Sequence, residues 1–307
     1  MRIAFVNTLQ ELAEKNKNIM LLTGDLGYSV FERYIKLFPK QFINMGVSEQ
    51  NMTGVAAGLA IENKIPFIYS IVPFVTMRNF EQIRNDICYQ NLNVKIIGVG
   101  AGFSYGSYGH THHGLEDIGI LRILANLTII CPGDPIETEL AVKKAIEIKG
   151  PVYIRLGRAG EAIVHDKRPK FSIGKGLIIK EGKDITIIAT GNMLGIGLEV
   201  SKKLKNRGIS VRLISMHTIK PFDSEIIIDS VKKTKAIFSL EEHSIIGGLG
   251  SAVSEVLAEN KISTRFKRLG VPDRFTKEIG DQEYMRKVNG LSIDSIVEVI
   301  LKSLNYA

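Results

Sequence analysis

The sequence has no tryptophan, two cysteines and nine prolines in 307 residues, and each shortage closes off a class of protein. Cys88 and Cys131 stand apart in apolar surroundings without a CxxC pair. A disulfide-stapled secreted scaffold is therefore excluded, and both read as buried thiols of a reducing cytoplasm. No apolar run reaches the roughly 18 to 20 residues that span a bilayer. The nearest, residues 65–75, is short and broken by Pro66 and Pro73. A secretory leader is not expected either, because Glu11 and Glu14 fall where its apolar stretch would run. With 45% hydrophobic residues, the composition excludes disorder. What remains is a soluble, cytoplasmic chain long enough for two domains, each with its own core.

Forty Lys and Arg against 32 Asp and Glu leave a net charge of +8. Such a balance suits nucleic acid, an anionic membrane or small anionic substrates. The basic residues cluster at Lys202, Lys203, Lys205 and Arg207, and again at Lys232, Lys233 and Lys235. No aromatic side chains are interleaved for base stacking. Both clusters end helical patterns, where cations complement the helix dipole. They are expected to be solvated helix ends, and neither nucleic acid nor a membrane is expected as a partner.

Short β-branched runs alternate with amphipathic segments along the whole chain. Residues 19–23, 42–45, 67–71, 94–99, 128–131 and 152–156 read as strands, and 78–89, 116–125 and 135–148 as helices. A second set follows, with strands at 185–189, 211–215, 236–240 and 266–269 and helices at 194–207, 225–233, 251–260 and 293–304. Strands apolar on both faces and separated by helices imply parallel sheets covered on each side. The polar, basic stretch 162–176, which contains Pro169, marks a boundary. The expected fold class is α/β: two consecutive three-layer domains with mainly parallel sheets, at 1–165 and 181–307, joined by a linker at 166–180.

The glycine-rich turns carry little by themselves. Gly247–Gly248–Leu249–Gly250 lacks GxGxxG spacing, and no acidic residue ends a strand about 20 residues after Gly195 and Gly197. Close strand–helix packing is the expected reason for both. The chain also has no GxxxxGK[ST] phosphate loop.

Chemistry-bearing residues instead collect in four segments of the first domain, at strand ends where open α/β sheets bind ligands. These are Thr23-Gly-Asp-Leu-Gly-Tyr-Ser29, Gly46-Val-Ser-Glu-Gln-Asn-Met52, the strand end at 69–78 carrying Phe74, and Gly106-Ser-Tyr-Gly-His-Thr-His-His-Gly114. Small residues after Glu49 (Gly54, Ala56, Ala57, Gly58) suggest close approach of another group. Taken singly, Glu49 could complement a helix dipole, Phe74 could be core, and the histidines could be a zinc site, although no partnering Cys or acidic motif accompanies them.

In combination the order GDLG, GVSEQNM, RNFEQIRN and THHG resembles the pyrimidine-binding domain of thiamine-diphosphate enzymes of the transketolase type. DITIIATGNM, HTIKPFD and EEHSIIGGLGSAVSEVLAE resemble the transketolase C-terminal domain. The likeness runs from about residue 2 to 305. The GDG…N motif that holds magnesium and the diphosphate in a complete transketolase has no counterpart here, and a first strand at Ile19 leaves no room for that domain. The resemblance therefore implies the C-terminal subunit of a split transketolase. Thiamine diphosphate would be shared with an N-terminal transketolase subunit that holds Mg2+, in an α2β2 heterotetramer.

Residue roles follow from the same resemblance. Glu49 matches the glutamate that hydrogen-bonds N1′ of the cofactor's aminopyrimidine. Phe74 matches the region of the stacking aromatic, with Tyr69 and Val75 as neighbours in that pocket; Asp25, Leu26 and Arg78 are further cofactor contacts, and Gln82 lines the same side. His112 matches the substrate histidine that exchanges a proton, and His113 and His110 are second choices. Arg158 matches the arginine that grips a substrate phosphate, and Ser29 supports it. Tyr108 stands where relatives acting on common pentose phosphates carry an aspartate, and Gly100 where they carry a histidine. Those departures point to ketol transfer with a non-standard sugar. The alternatives are decarboxylative condensation from pyruvate, as in deoxyxylulose-phosphate synthase; the beta subunit of a 2-oxo-acid dehydrogenase, whose chains lack the THHG loop; and a non-catalytic partner subunit. His217 and His243 of the second domain are expected to be structural.

Overall fold

The computed structural model describes residues 1–304. Its first half runs through α1 (Arg2–Lys15), β1 (Ile19–Thr23), α2 (Glu32–Leu37), β2 (Phe42–Asn44), α3 (Glu49–Ile61), β3 (Ile65–Ile71) and α4 (Val72–Thr76). Then come α5 (Phe80–Gln82), which passes into a π-helical turn at Ile83–Cys88, β4 (Lys95–Val99), α6 (Asp117–Arg122), β5 (Thr128–Ile130), α7 (Pro135–Glu147) and β6 (Val152–Leu156). The second half contains β7 (Leu177–Lys180), β8 (Ile185–Ala189), α8 (Met193–Lys205), β9 (Val211–Ser215), β10 (Thr218–Lys220) and α9 (Ser224–Lys233). It closes with β11 (Ala236–Ser244), α10 (Leu249–Glu259), β12 (Arg265–Val271), α11 (Gln282–Val288) and α12 (Ile293–Ser303).

Each strand read from the sequence forms, with shifts only at its ends. Two sheets result, in the orders β10-β5-β6-β4-β3-β1-β2 and β12-β11-β8-β9-β7. All pairings are parallel except β10 with β5 and β7 with β9. The strands β4, β6, β8 and β9 are buried along their whole length on both faces, as a sheet covered on each side demands, although Lys95, Arg155 and Arg212 put charged side chains among their mostly apolar residues. Several helices start at a side-chain cap. Asp134, Asp223, Asp281 and Ser292 each accept a backbone N–H from the first turn, satisfying a donor that the helix itself leaves free.

The segment 157–176 carries no helix or strand, yet the halves are not separated by it alone. β10 leaves the second half to pair with β5 at the edge of the first sheet. One apolar cluster also joins Ile129 and Cys131 to Met216, Ile219 and Ile227. Both thiols are buried, and burial pushes Cys88 up to about 11 and Cys131 to about 12.

Two expectations need correction. The helix read at 78–89 starts at Phe80 and is π-helical from Ile83, so Arg78 lies in the turn ahead of it. Phe74 does not end a strand: β3 stops at Ile71, and Pro73 opens the short α4 that carries Phe74. Beside the small residues of α3 the space is open: a methyl group added at Gly54 or Gly58 would meet no atom within 4 Å.

The GGLG turn serves the chain itself. Glu241 accepts from the N–H groups of Leu249 and Gly250, both at 2.7 Å, at the start of α10. His243 is buried and accepts from the Gly119 N–H at 3.2 Å. His217 is buried with its ring stacked 3.9 Å from that of Phe171. Among the described residues no helix is long and apolar enough to cross a membrane.

Candidate active site

The C-terminal ends of β1, β3, β4 and β6 lie side by side, so the loops that leave them converge. The β1–β3 register pairs Thr23 with Tyr69, which sets Gly24 beside Ser70. Glu49 enters from the first turn of α3, where a negative charge is favoured. Its side chain does more than complement that dipole. Only 1% exposed, it accepts from Ser70 Oγ at 2.9 Å and from Arg78 Nη1 at 2.6 Å. Gly24 closes one side, where an added methyl would lie 3.1 Å from Glu49 Oε1.

From this carboxylate a continuous chain of contacts runs across the site. The Arg78 guanidinium lies over the Phe74 ring, 4.3 Å from its centroid, within cation–π range. Phe74 meets the His112 ring edge-on at 5.1 Å. His112 packs against Tyr108 at 5.2 Å, and Tyr108 against Tyr105 at 5.8 Å. Arg158 completes the series, its guanidinium 5.1 Å from the Tyr105 centroid. Among the described residues Arg158 has no carboxylate partner, so its charge is free to meet an anion.

Glu49, Arg78, Phe74, His112, Tyr108 and Arg158 are thus brought together, whereas the other sequence candidates are not. Asp25 is exposed, at φ 55°, and exchanges hydrogen bonds with Asn44. With Leu26 it lines a neighbouring 240 Å³ cavity whose walls exclude Glu49. Ser29 is exposed and donates its N–H to Glu32; no hydrogen bond joins it to the His112–Arg158 group. Tyr69 is a correction. Alternation along β3 sends it to the face opposite Ser70, where it is fully buried against Phe5 at 5.8 Å and Phe31 at 4.9 Å. His113 is a second correction. It is 1% exposed, packs against Phe103 and contacts the Gly106 carbonyl at 3.3 Å, so it supports its own loop instead of facing the site.

Two members of the group escape sequence reasoning. Ser70 is one serine within an apolar strand. Tyr105 gains its place only because Gly100, at φ 87°, has no side chain: an added methyl would fall 2.2 Å from the tyrosine ring. Tyr105 therefore fills the space beside Gly100.

Burial, and then the charge of Arg78, hold the His112 imidazole below its ordinary value of 6.5. The neutral ring, able to accept a proton, persists further into acid than a free imidazole would. Proton NMR titration of the full chain is expected to give a His112 midpoint below 6.5, and a midpoint above that value would contradict the placement. The arrangement as a whole pairs a buried carboxylate with an aromatic face, a neutral proton acceptor and an unpaired guanidinium. It suits a flat heterocycle at one end and an anionic substrate at the other.

Comparison with known proteins assigns the two halves of the chain to two family domains. The family described as "Transketolase, pyrimidine binding domain" matches residues 1–160, and "Transketolase, C-terminal domain" matches residues 174–296. A putative transketolase C-terminal section from Methanocaldococcus jannaschii is 41% identical over 99% of this chain and 96% of its own length. One of the subunits of an apulose-4-phosphate transketolase from Actinobacillus succinogenes is 38% identical, over 89% of this chain and 87% of its own. A solved structure described as a split gene transketolase, inactive beta4 tetramer, superposes with a TM-score of 0.91 at 42% identity, covering 99% of this chain and 98% of that one.

Proposed function

The chain belongs to the transketolase family, and on that footing we propose that it is the C-terminal subunit of a split, thiamine-diphosphate-dependent transketolase moving a two-carbon ketol unit between sugars. The observation that carries this reading is the buried Glu49 carboxylate, held by Ser70 and Arg78 beside the Phe74 ring.

The residues present fit the pyrimidine half of the cofactor. Glu49 would meet a ring nitrogen and Phe74 would stack on the ring, the two now bridged by the Arg78 guanidinium, and Gly24 leaves no side chain against the carboxylate. Among the described residues no group of three His, Cys, Asp or Glu could hold a metal ion. Magnesium and the diphosphate, whose GDG…N motif has no counterpart in this sequence, are assigned to an N-terminal partner subunit, in an α2β2 assembly. When bound, thiamine diphosphate supplies the carbon nucleophile that carries the ketol unit. Glu49 would anchor and polarise the aminopyrimidine, with Ser70 donating to its carboxylate. His112 accepts and returns a proton at the substrate oxygen. Arg158, steadied on Tyr105, receives the anionic end of the sugar.

The donor decides between this reading and decarboxylative condensation. The reconstituted two-chain enzyme is expected to turn over ketose donors bearing a terminal phosphate or sulfonate, without gas release. Release of carbon dioxide from pyruvate with no ketose turnover would overturn the proposal. Efficient use of xylulose 5-phosphate with ribose 5-phosphate would contradict the non-standard sugar implied by Tyr108 and Gly100.

A further inference from the structure

The loop that carries His112 is not held by its own domain alone. Its neck is closed by two backbone hydrogen bonds between Gly102 and Gly114, at 2.9 and 3.0 Å. Directly beneath the neck lies Glu242 of β11, in the second domain and 1% exposed. Its carboxylate accepts from the Phe103 N–H at 2.7 Å, from Gln282 Nε2 at 3.0 Å and from Arg286 Nε at 2.9 Å. Gly102, at φ 61°, sits so close that an added methyl would lie 2.5 Å from Glu242 Cγ. Arg155 ties the same place together, donating to the carbonyls of Gly114 and Glu242 at 2.6 and 3.1 Å.

The far end of the loop also rests on the second domain. A methyl at Gly106 would fall 2.6 Å from the Gly280 carbonyl oxygen and 2.7 Å from Met285. The Phe275 ring meets that of His110 at 4.5 Å. Both ends of the loop therefore bear on residues 242 and 275–286, while His112 points the other way, to Phe74.

We propose that Glu242 is a positioning residue for the reaction: by fixing the Phe103 N–H against Gln282 and Arg286, the second domain sets where His112 stands over the substrate. The proposal rests on the reading of His112 as the proton acceptor, and it gives the second domain a part in catalysis. The carboxylate has three kinds of donor to satisfy. A glutamine at the same place keeps the shape but presents one amide N–H2 to donors, so at least one partner is left unmatched. The neck then loosens without emptying the core.

Glu242→Gln in the two-chain enzyme is expected to lower kcat at least tenfold for the ketose donor. KM for the donor and thiamine-diphosphate affinity by calorimetry should stay within about threefold, since Arg158 and the Glu49 pocket are untouched. A loss that tracks only the fraction of folded protein, with kcat per folded enzyme unchanged, would overturn the proposal. A second arm needs no turnover. In the full chain, NMR of the imidazoles should shift or broaden His112 and His110 in Glu242→Gln while His165 holds. Phe275→Ala, at the far end of the loop, should move the same two signals. Unchanged His112 and His110 resonances in both variants would sink the coupling whatever the enzyme's substrate proves to be, whereas coupling without ketol transfer would count against the functional reading alone.

Discussion

Glu49→Gln in the reconstituted enzyme is expected to reduce ketol transfer by about 10² to 10⁴-fold. A positioned side chain that assists proton transfer is worth about 10² to 10⁴-fold in rate, and a neutral amide cannot supply that assistance. Glutamine fills the same volume and keeps an acceptor for Ser70, so the pocket's shape survives. It loses the charge that meets both Arg78 and the cofactor ring. The loss should therefore appear in kcat with circular dichroism and melting close to those of the parent. Single-turnover and steady-state rates of the two proteins, compared at saturating cofactor, read it directly. A variant retaining most of its turnover would remove Glu49 from the mechanism.

The second large effect is expected at Arg158. Its guanidinium rests on the Tyr105 ring, and among the described residues no carboxylate neutralises it. Charge-assisted hydrogen bonds to a phosphate or sulfonate contribute more than neutral ones. Arg158→Ala should accordingly raise KM for an anion-terminated donor roughly tenfold to hundredfold. The rate at saturation should change much less, because the contact lies remote from the reacting carbons and serves binding in ground and transition states alike. Arg158→Lys should recover only part of the loss, since an ammonium cannot form the two-pronged contact. Equal KM values in all three proteins would place the anion elsewhere.

The architecture was largely legible because its central strands are short, mostly apolar runs separated by helices, a pattern with few alternative folds. β7 and β10 were not, being short, antiparallel additions whose partners lie far away in sequence. Glu49, His112 and Arg158 could be singled out through their motifs, but which neighbours meet them depends on single-residue parity. At the end of β3, Ser70 faces the carboxylate, so Tyr69 must face α1. Likewise, His112 turns to Phe74 while His113 turns inward. Tyr105 was hidden because its position depends on the left-handed backbone of Gly100. Glu242 was hidden because it meets Phe103 across 139 residues of chain.

The most direct test of the account is a mixing experiment with purified subunits. Ketol transfer is measured for this chain alone, for its N-terminal partner alone, and for the equimolar mixture, each with thiamine diphosphate and Mg2+. Turnover is expected only in the mixture, with cofactor binding by calorimetry much tighter there than to either chain. Full activity of this chain by itself would contradict a cofactor shared between two polypeptides.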